Sequence, residues 1–150
     1  MSSQRESAVG GTQVALIAAL AATIQAVFAQ HGDFAPKVQV IIDYLKNAGD
    51  ACVSPALSGE RPFTACREGS DPVSLTIATR IPVRNSNGRV IDTCPAKLTA
   101  VQLPGPLSVR FDVAAAECPE STLKSGEFTA IFAGLILELA EWVQTKEKPI

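Results

Sequence analysis

The spacing of apolar residues changes once along the chain, near residue 73, and divides it into a helical part and a mainly extended part. Between residues 12 and 30 the larger apolar side chains recur at every third or fourth position with alanines between them, which is typical of a helix with one apolar stripe. A second helix is predicted from Pro36, which suits a first helical turn, to about Ala48, because Gly49 suits a helix end.

From residue 73 onward, apolar and polar side chains alternate, which is typical of strands in a sheet with one buried face. The residues predicted to face the core are Val73, Leu75, Ile77, Ile81 and Val83, and those predicted to face outward are Ser74, Thr76, Ala78 and Arg80. The residues at 85–88, Asn-Ser-Asn-Gly, tolerate a tight turn, so 89–93 is predicted to form a hairpin partner. Further strands are predicted at 98–103 and 107–113.

The rest of the chain predicts loops and one more helix. Residues 50–72 are rich in Pro, Gly, Ser and Asp, so extended segments at 52–57 and 62–66 are predicted to be edge strands at most. A broad apolar stripe, preceded by a helix-start signal at Pro119 and Glu120, predicts a C-terminal helix.

These elements together predict an α+β fold in one domain. It has two N-terminal helices, an antiparallel sheet of about four to six strands, and a C-terminal helix, bent or split, that covers one sheet face. The predicted segments of the domain 1–150 are a flexible N-terminus at 1–11, a helical part at 12–48, a sheet at 50–113 and the C-terminal helix at 119–144.

Composition supports a folded domain and limits its partners. A chain of 150 residues that is 47% hydrophobic and 19% charged can bury a substantial core and lacks the signature of disorder. Its formal net charge is −2, so attraction to nucleic acid or to an anionic membrane would require a local basic patch.

The apolar run at 14–30 suits neither a membrane span nor a typical targeting segment. It is shorter than the about 20 apolar residues that a membrane span needs, and Gln25 interrupts it, so no membrane partner is predicted. A Val-Phe-Ala triplet ending at Ala29 resembles a signal-peptide cleavage site, but the preceding region carries one basic residue, Arg5, offset by Glu6. Secretion is therefore the less favoured localisation.

No motif in the sequence predicts catalysis, a cofactor or a metal. His31 is the only histidine, the chain has no Gly-x-Ser-x-Gly motif, and it has no glycine-rich phosphate loop. The four cysteines, none of them in a Cys-x-x-Cys pair, are Cys52, Cys66, Cys94 and Cys118. They allow three disulfide pairings or four buried thiols, and the sequence leaves these alternatives open. The protein is predicted to be non-enzymatic.

Positive charge is concentrated in the predicted sheet. Residues 73–113 contain five cations and two anions, a local balance of +3, which leaves −5 for the rest of the chain. Strand parity places Arg80, Lys97 and Arg110 on the outward side with Thr76, and this combination of cations and hydroxyls suits phosphate contacts. The alternative interpretation is an ordinary solvated sheet face.

The second half of the chain also resembles a known family. The order of its segments is similar to that in the coat proteins of single-stranded RNA phages: LTIATRIPV, a polar break with Gly88, a cysteine-bearing loop VIDTCPAK, LSVRFDV, an acidic break AECPEST, a helix FTAIFAGLILELAEWV and a tail EKPI. The resemblance covers residues 73–150. The N-terminal half does not match, because such coats usually open with a β-hairpin and residues 12–48 predict helices.

The resemblance implies roles for particular residues. In that family the sheet lines the shell interior and contacts the genome, and the C-terminal helices cross onto a partner subunit. Residues that would face RNA are Thr76, Arg80, Lys97 and Arg110, and residues that would lie at an oligomer interface are Phe128, Phe132, Leu135, Leu139 and Trp142. Cys94 would lie in a loop that meets other subunits and is a candidate for a disulfide.

The sequence thus leads to one functional hypothesis and two alternatives. The hypothesis is a self-assembling structural protein, a capsid or coat protein that forms homodimers and a virion shell, with itself and RNA as partners. The first alternative is a dimeric binding or adaptor domain of non-viral origin, which would be cytoplasmic. The second is a small secreted domain with disulfides, for which cleavage after Ala29 would be the sign.

Overall fold

The described residues of the chain form two helices, a five-stranded sheet and two further helices. The structure is a computed structural model and describes residues 2–30, 34–49, 51–55, 62–69, 72–104 and 109–147, with side chains from residue 14 onward except at 29, 30 and 147. The elements are α1 (Ser2–Gln30), α2 (Phe34–Ala48), β1 (Cys52–Val53), β2 (Phe63–Glu68), β3 (Ser74–Arg84), β4 (Val90–Gln102), β5 (Val109–Ala114), α3 (Glu120–Leu123) and α4 (Gly126–Glu147). The predicted α+β class and element order are confirmed, and the C-terminal helix is split in two.

The sheet is an antiparallel meander in which each strand pairs with the next, in the order β1-β2-β3-β4-β5. The longest pair is the β3–β4 hairpin, whose turn is closed by Asn85. The Asn85 side chain accepts hydrogen bonds from the backbone N–H groups of Asn87 and Arg89, at 3.0 Å each. Gly88 completes this turn with a φ of 81°, a conformation that glycine adopts without steric cost.

The strand β4 is one continuous strand, where the sequence predicts two separate segments. Pro95, which lies inside it, breaks no ladder hydrogen bond. The N–H of Gln102 donates to Val73 O, so the even-numbered residues of β4 direct their N–H groups towards β3. The backbone nitrogen of Pro95, at an odd-numbered position, therefore faces the opposite side of β4. On that side β5 pairs with residues 97–102, so none of the described strands faces Pro95.

Two other predictions differ from the structure. The helix α1 begins at Ser2, so the segment predicted to be a flexible N-terminus is helical from that residue. The strand β2 is flanked by β1 and β3 and is therefore an interior strand, not an edge strand. His31 and the predicted strand start at 107–108 lie outside the described residues.

One face of the sheet, called here the inner face, is buried under the helices. Its buried residues are Phe63, Ala65, Leu75, Ile77, Thr79, Ile81, Cys94, Ala96, Leu98, Ala100 and Phe111. Phe28 of α1 stacks on Phe34 of α2, with ring centroids 4.2 Å apart, and meets Phe111 of β5 edge-on at 4.9 Å. The helices and the inner face thus share one hydrophobic core.

The free edge of β5 is covered by a side chain of α1. The Gln25 amide nitrogen donates to Val109 O at 3.1 Å, and the Phe111 N–H donates to the Gln25 amide oxygen at 2.8 Å. These bonds replace the pairing that a neighbouring strand would make, and so protect an edge that could otherwise pair with another chain. The residue that interrupts the apolar run of the sequence therefore has a structural role.

All four cysteines are paired in disulfides within the chain. Cys52 of β1 is bonded to Cys66 of β2, and Cys94 of β4 is bonded to Cys118, which lies in the turn between β5 and α3. This is one of the three pairings that the sequence leaves open. The coat-protein resemblance implied that Cys94 could form a disulfide with another subunit. The structure differs, because the sulfur of Cys94 is already bonded to Cys118 of the same chain.

Candidate nucleic-acid interface

The sheet face opposite the helices, called here the outer face, contains all four residues that the sequence predicts to bind nucleic acid. Its polar and charged residues are Thr64, Glu68, Ser74, Thr76, Arg80, Thr93, Lys97, Thr99, Arg110 and Asp112. They alternate along β2 to β5 with the residues that face the core, as a strand period of two requires. Within the described part of the chain, no helix covers this face.

Arg80 and Lys97 are the two cations that lie together at the centre of the outer face. Arg80 is opposite Pro95 and Lys97 is opposite Ala78, so the two are diagonal neighbours on β3 and β4. Such diagonal positions are about 7 to 8 Å apart, so both side chains can reach one phosphate group or two successive ones. Both residues are exposed.

The guanidinium of Arg80 is anchored to the neighbouring strand. Its Nε donates to Thr93 Oγ1 at 2.7 Å and its Nη2 donates to Thr93 O at 2.9 Å. These two bonds hold the side chain across β4 and limit the rotamer entropy that it would lose on binding a ligand. Arg80 is thus a partly preorganised cation.

Thr76, in contrast, is not available for contact with RNA. It is only 8% exposed, although it belongs to the outer face, and its hydroxyl is hydrogen-bonded to that of Thr99 at 3.1 Å. It lies on an interior strand between Cys66 of β2 and Thr99 of β4, so its short side chain is enclosed by neighbours on both sides. The contact predicted through Thr76 would therefore have to be made by a residue that is only 8% exposed and already hydrogen-bonded.

Arg110 lies apart from the central cations and has an acidic neighbour. It is opposite Val101 on β4, and its guanidinium contacts Asp112 Oδ2 at 3.3 Å. Both members of this pair are more than half exposed, so the ion pair is weak and screened by solvent. With Glu68 also on this face, three cations face two anions, and the outer face has an excess of one positive charge.

Arg84 contributes to the local positive balance of the sequence but belongs to a different contact. Its Nε and Nη2 donate to the two carboxylate oxygens of Glu127 at 2.9 and 2.8 Å, and its Nη1 donates to Gly88 O. The hydrogen bond and the negative charge of Glu127 raise the pKa of Arg84 above its ordinary value. Arg84 therefore ties the hairpin turn to the start of α4.

A shallow depression lies beside Lys97, where β5 ends and the chain turns towards α3. It has a volume of about 270 Å³, and its lining includes Ala78, Pro95, Ala114 and Glu117. Small side chains on three separate segments leave this space. No local pattern in the sequence could have revealed it, because it forms only when β3, β4 and the turn after β5 come together.

The residues predicted to form an oligomer interface lie mostly in the core of the single chain. Phe128, Phe132 and Leu139 have no exposed surface, and Leu135 is 6% exposed. Trp142 is partly buried, with its ring edge-on to Tyr44 at 5.4 Å and the Lys146 ammonium 5.5 Å from its centre. The chain itself therefore covers the apolar stripe of its C-terminal helix.

A few large apolar side chains do remain exposed among the described residues. They are Val14 on α1, Val90 and Ile91 at the start of β4, and Leu137 on α4. Val90 and Ile91 follow the hairpin turn, in the part of β4 that extends beyond β5.

The described residues form neither a metal-binding cluster nor a membrane-spanning helix. No group of three or more His, Cys, Asp or Glu side chains among them is arranged to hold a metal ion. None of the helices, over its described length, is both long enough and apolar enough to span a membrane.

Comparisons of the chain with protein-family models, with curated proteins and with solved structures found no match.

Proposed function

We propose that the protein is a non-enzymatic structural protein that assembles with copies of itself, as RNA-phage coat proteins do, and that its outer face lies against RNA. The observation that carries this proposal is the contrast between a helix-covered inner face and an outer face on which Arg80 and Lys97 are exposed as diagonal neighbours. Cations and hydroxyls on an open surface are what phosphate contacts require.

The charge distribution sets the expected strength of this interaction. The whole chain carries a net charge of −2, so attraction to RNA depends on the local cations of the outer face. Each phosphate contact displaces counterions, so affinity should fall steeply as salt concentration rises. With Arg110 paired to Asp112, the central pair Arg80 and Lys97 should account for most of the binding.

The candidate contact for self-assembly is the start of β4, where the neighbouring residues Val90 and Ile91 are 47% and 62% exposed. We expect a homodimer or larger species at micromolar concentration in multi-angle light scattering, and particles in electron microscopy. A stable monomer at that concentration would contradict this part of the proposal.

RNA binding is tested with a triple variant, Arg80→Ala, Lys97→Ala and Arg110→Ala. The matched control is Lys37→Ala, Lys46→Ala and Lys124→Ala, which removes the same charge from α2 and from the residue after α3. The readouts are the ratio of absorbance at 260 and 280 nm of purified protein, and filter binding of single-stranded RNA across a salt series.

Wild type and control should retain RNA and show the same salt dependence. The sheet variant should remain folded and assembled but carry little RNA, with a salt slope lower by about one unit for each phosphate that the variant no longer neutralises. Wild-type protein that is free of nucleic acid and has no salt-dependent affinity for RNA would refute the proposal. Equal reductions of RNA binding in the two triple variants would show a general charge effect and would also refute it.

A second candidate function, a secreted disulfide-containing domain, is supported by the pairing of all four cysteines. Cleavage after Ala29 would, however, remove Leu20, Ile24 and Phe28 from the core and Gln25 from the edge of β5. A secreted form should therefore retain α1. Expression in a reducing and in an oxidising compartment tests it, with thiol titration of the denatured protein to count the disulfides and circular dichroism to measure folding. Folding only in the oxidising compartment would favour this candidate, and equal folding in both would oppose it.

A further inference from the structure

We propose that Cys52–Cys66 is a thiol–disulfide exchange site, which a small-molecule thiol opens while the protein stays folded, and that Cys94–Cys118 is closed to the same reagent. This inference goes beyond the proposed function and does not depend on RNA binding. It rests on the different positions of the two disulfides in the fold.

The first observation is accessibility. Cys52 is exposed and Cys66 is partly exposed, whereas Cys94 is 3% exposed and Cys118 is fully buried. A thiolate must approach the sulfur that it attacks, so exchange depends on access to that sulfur. The difference in burial therefore predicts a difference in rate.

The second observation is how little structure holds Cys52. The strand β1 has two residues and pairs with β2 at two positions, Cys52 with Cys66 and Val53 with Ala65. Its other contacts with β2 include the Arg67 N–H bond to Ala51 O at 2.7 Å and a hydroxyl contact between Ser54 and Thr64 at 2.9 Å. Val53 also packs against the hydrophobic core, but β1 is a two-residue strand at the edge of the sheet, and such a segment can open locally without unfolding the domain.

Cys94, unlike Cys52, is held firmly by the surrounding structure. It lies inside the long strand β4, opposite Ile81 of β3, and both are in the hydrophobic core. Its partner Cys118 has its sulfur 3.7 Å from Pro95 O, in the turn that leads into α3. Access to this disulfide requires displacement of that turn or of the helix layer, which is close to global unfolding.

Exchange at the exposed disulfide takes two steps. An external thiolate attacks Sγ of Cys52, the Cys52–Cys66 bond breaks, and the Cys66 thiolate leaves and takes a proton from water. A second thiolate then attacks the external sulfur of the mixed disulfide and releases the Cys52 thiolate. Two external thiols are thus oxidised to one disulfide, and one protein disulfide is reduced to two thiols.

Opening this site changes the sheet. Without the disulfide, β1 is held by its pairing with β2 at two positions and by the packing of Val53 against the core, so we expect β1 to detach more readily and to expose the edge of β2. The Arg67 N–H, which bonds to Ala51 O when β1 is in place, is then free to exchange with solvent. The exchange site therefore controls whether the sheet has five strands or four.

The test is graded reduction of the full chain with dithiothreitol under native conditions, followed by alkylation with iodoacetamide and intact-mass and peptide-mass analysis. We expect a species with two alkyl groups, located on Cys52 and Cys66, to accumulate first. The species with four alkyl groups should form at least tenfold more slowly and should accelerate in denaturant. A direct change from zero to four groups, or alkylation of Cys94 and Cys118 first, would overturn the proposal.

Two variants and one further measurement complete the test. The variant Cys52→Ser, Cys66→Ser should resist alkylation under native conditions, and the variant Cys94→Ser, Cys118→Ser, if it folds, should react as fast as the wild type. Hydrogen exchange provides a readout that does not depend on the second variant: native reduction should speed exchange at Arg67 and leave Ile77, on the interior of the sheet, unchanged. Faster exchange at both would show global opening and would overturn the proposal.

Discussion

The two faces of the sheet alternate along the same strands but have different surroundings. Leu98 is 1% exposed on the inner face, and its sequence neighbour Lys97 is exposed on the outer face. The helices cover the first residue, and no described helix covers the second. The difference shows where the fold constrains the sequence: close packing leaves little freedom on the inner face, so function can be located on the outer face at small cost to stability.

The outer face is not uniformly open. Thr76 is enclosed by the strands on both sides, whereas the longer side chains of Arg80 and Lys97 extend beyond their neighbours. Side-chain length and the position of a strand within the sheet thus decide which outward residues reach solvent. Substitutions on and around the two faces should therefore differ widely in their effect on stability.

Leu98→Ala should lower the free energy of unfolding by about 2 to 5 kcal/mol, because it leaves a cavity in the core. Lys97→Ala, one residue away, should change it by less than about 0.5 kcal/mol, because its side chain is exposed. Urea denaturation of both variants measures the difference. Similar losses in the two would contradict the distinction between the faces.

Removing the buried disulfide should have the next largest effect. The double variant Cys94→Ala, Cys118→Ala opens a loop with a sequence separation of 24 residues, which corresponds to about 3.5 kcal/mol in the chain-entropy model. The corresponding Cys52→Ala, Cys66→Ala variant opens a separation of 14, or about 3 kcal/mol. Calorimetry should show the lower melting temperature for the Cys94→Ala, Cys118→Ala variant, because that variant also loses packing in the core. A lower melting temperature for the Cys52→Ala, Cys66→Ala variant would contradict the larger contribution of the buried disulfide.

Gln25→Leu should destabilise the protein by about 1 to 3 kcal/mol, because it leaves the Phe111 N–H and the Val109 carbonyl without their partner at the sheet edge. The control is Gln39→Leu, whose exposed amide bonds only to Asp43 within α2, and which should have little effect. Chemical denaturation measures both. Equal stability of the two variants would show that Gln25 does not secure the edge of β5.

The ion pair between Arg84 and Glu127 should have the smallest effect, since both side chains are partly exposed. Because the pKa of Arg84 is raised in the folded protein, the ion pair contributes fully to the free energy of unfolding at every pH below the ordinary pKa of arginine. This contribution is lost only as the pH rises through the raised pKa. Arg84 should therefore stay protonated between about pH 6 and pH 9 and should add no pH dependence to the free energy of unfolding in that range.

A double-mutant cycle with Arg84→Ala and Glu127→Ala, followed by melting temperature at low and high salt, measures this coupling. We expect a small coupling that decreases with salt. A coupling as large as the effect of Gln25→Leu would show that the bidentate geometry matters more than its exposure suggests.

Much of the fold could be predicted from local patterns. The period of two between Val73 and Val83 assigned the faces of β3 correctly, and the Asn-Ser-Asn-Gly sequence located the hairpin turn. The continuity of β4 through Pro95 could not be predicted, because it depends on where the neighbouring strand β5 ends. Of the candidate site, the sequence located Arg80 and Lys97 on the outer face but not the burial of Thr76.

The sequence by itself determined the type and order of the main elements, the face on which the residues of β3 lie and the local excess of positive charge, because each depends on residues that are near in the chain. Only the tertiary structure decided the pairing of the cysteines, the bonds of Gln25 to a strand up to 86 residues away, and the contact of Arg84 with Glu127. The physical reason is that a period repeats over a few residues, whereas a contact between distant residues depends on how whole elements pack, and no local pattern specifies that packing.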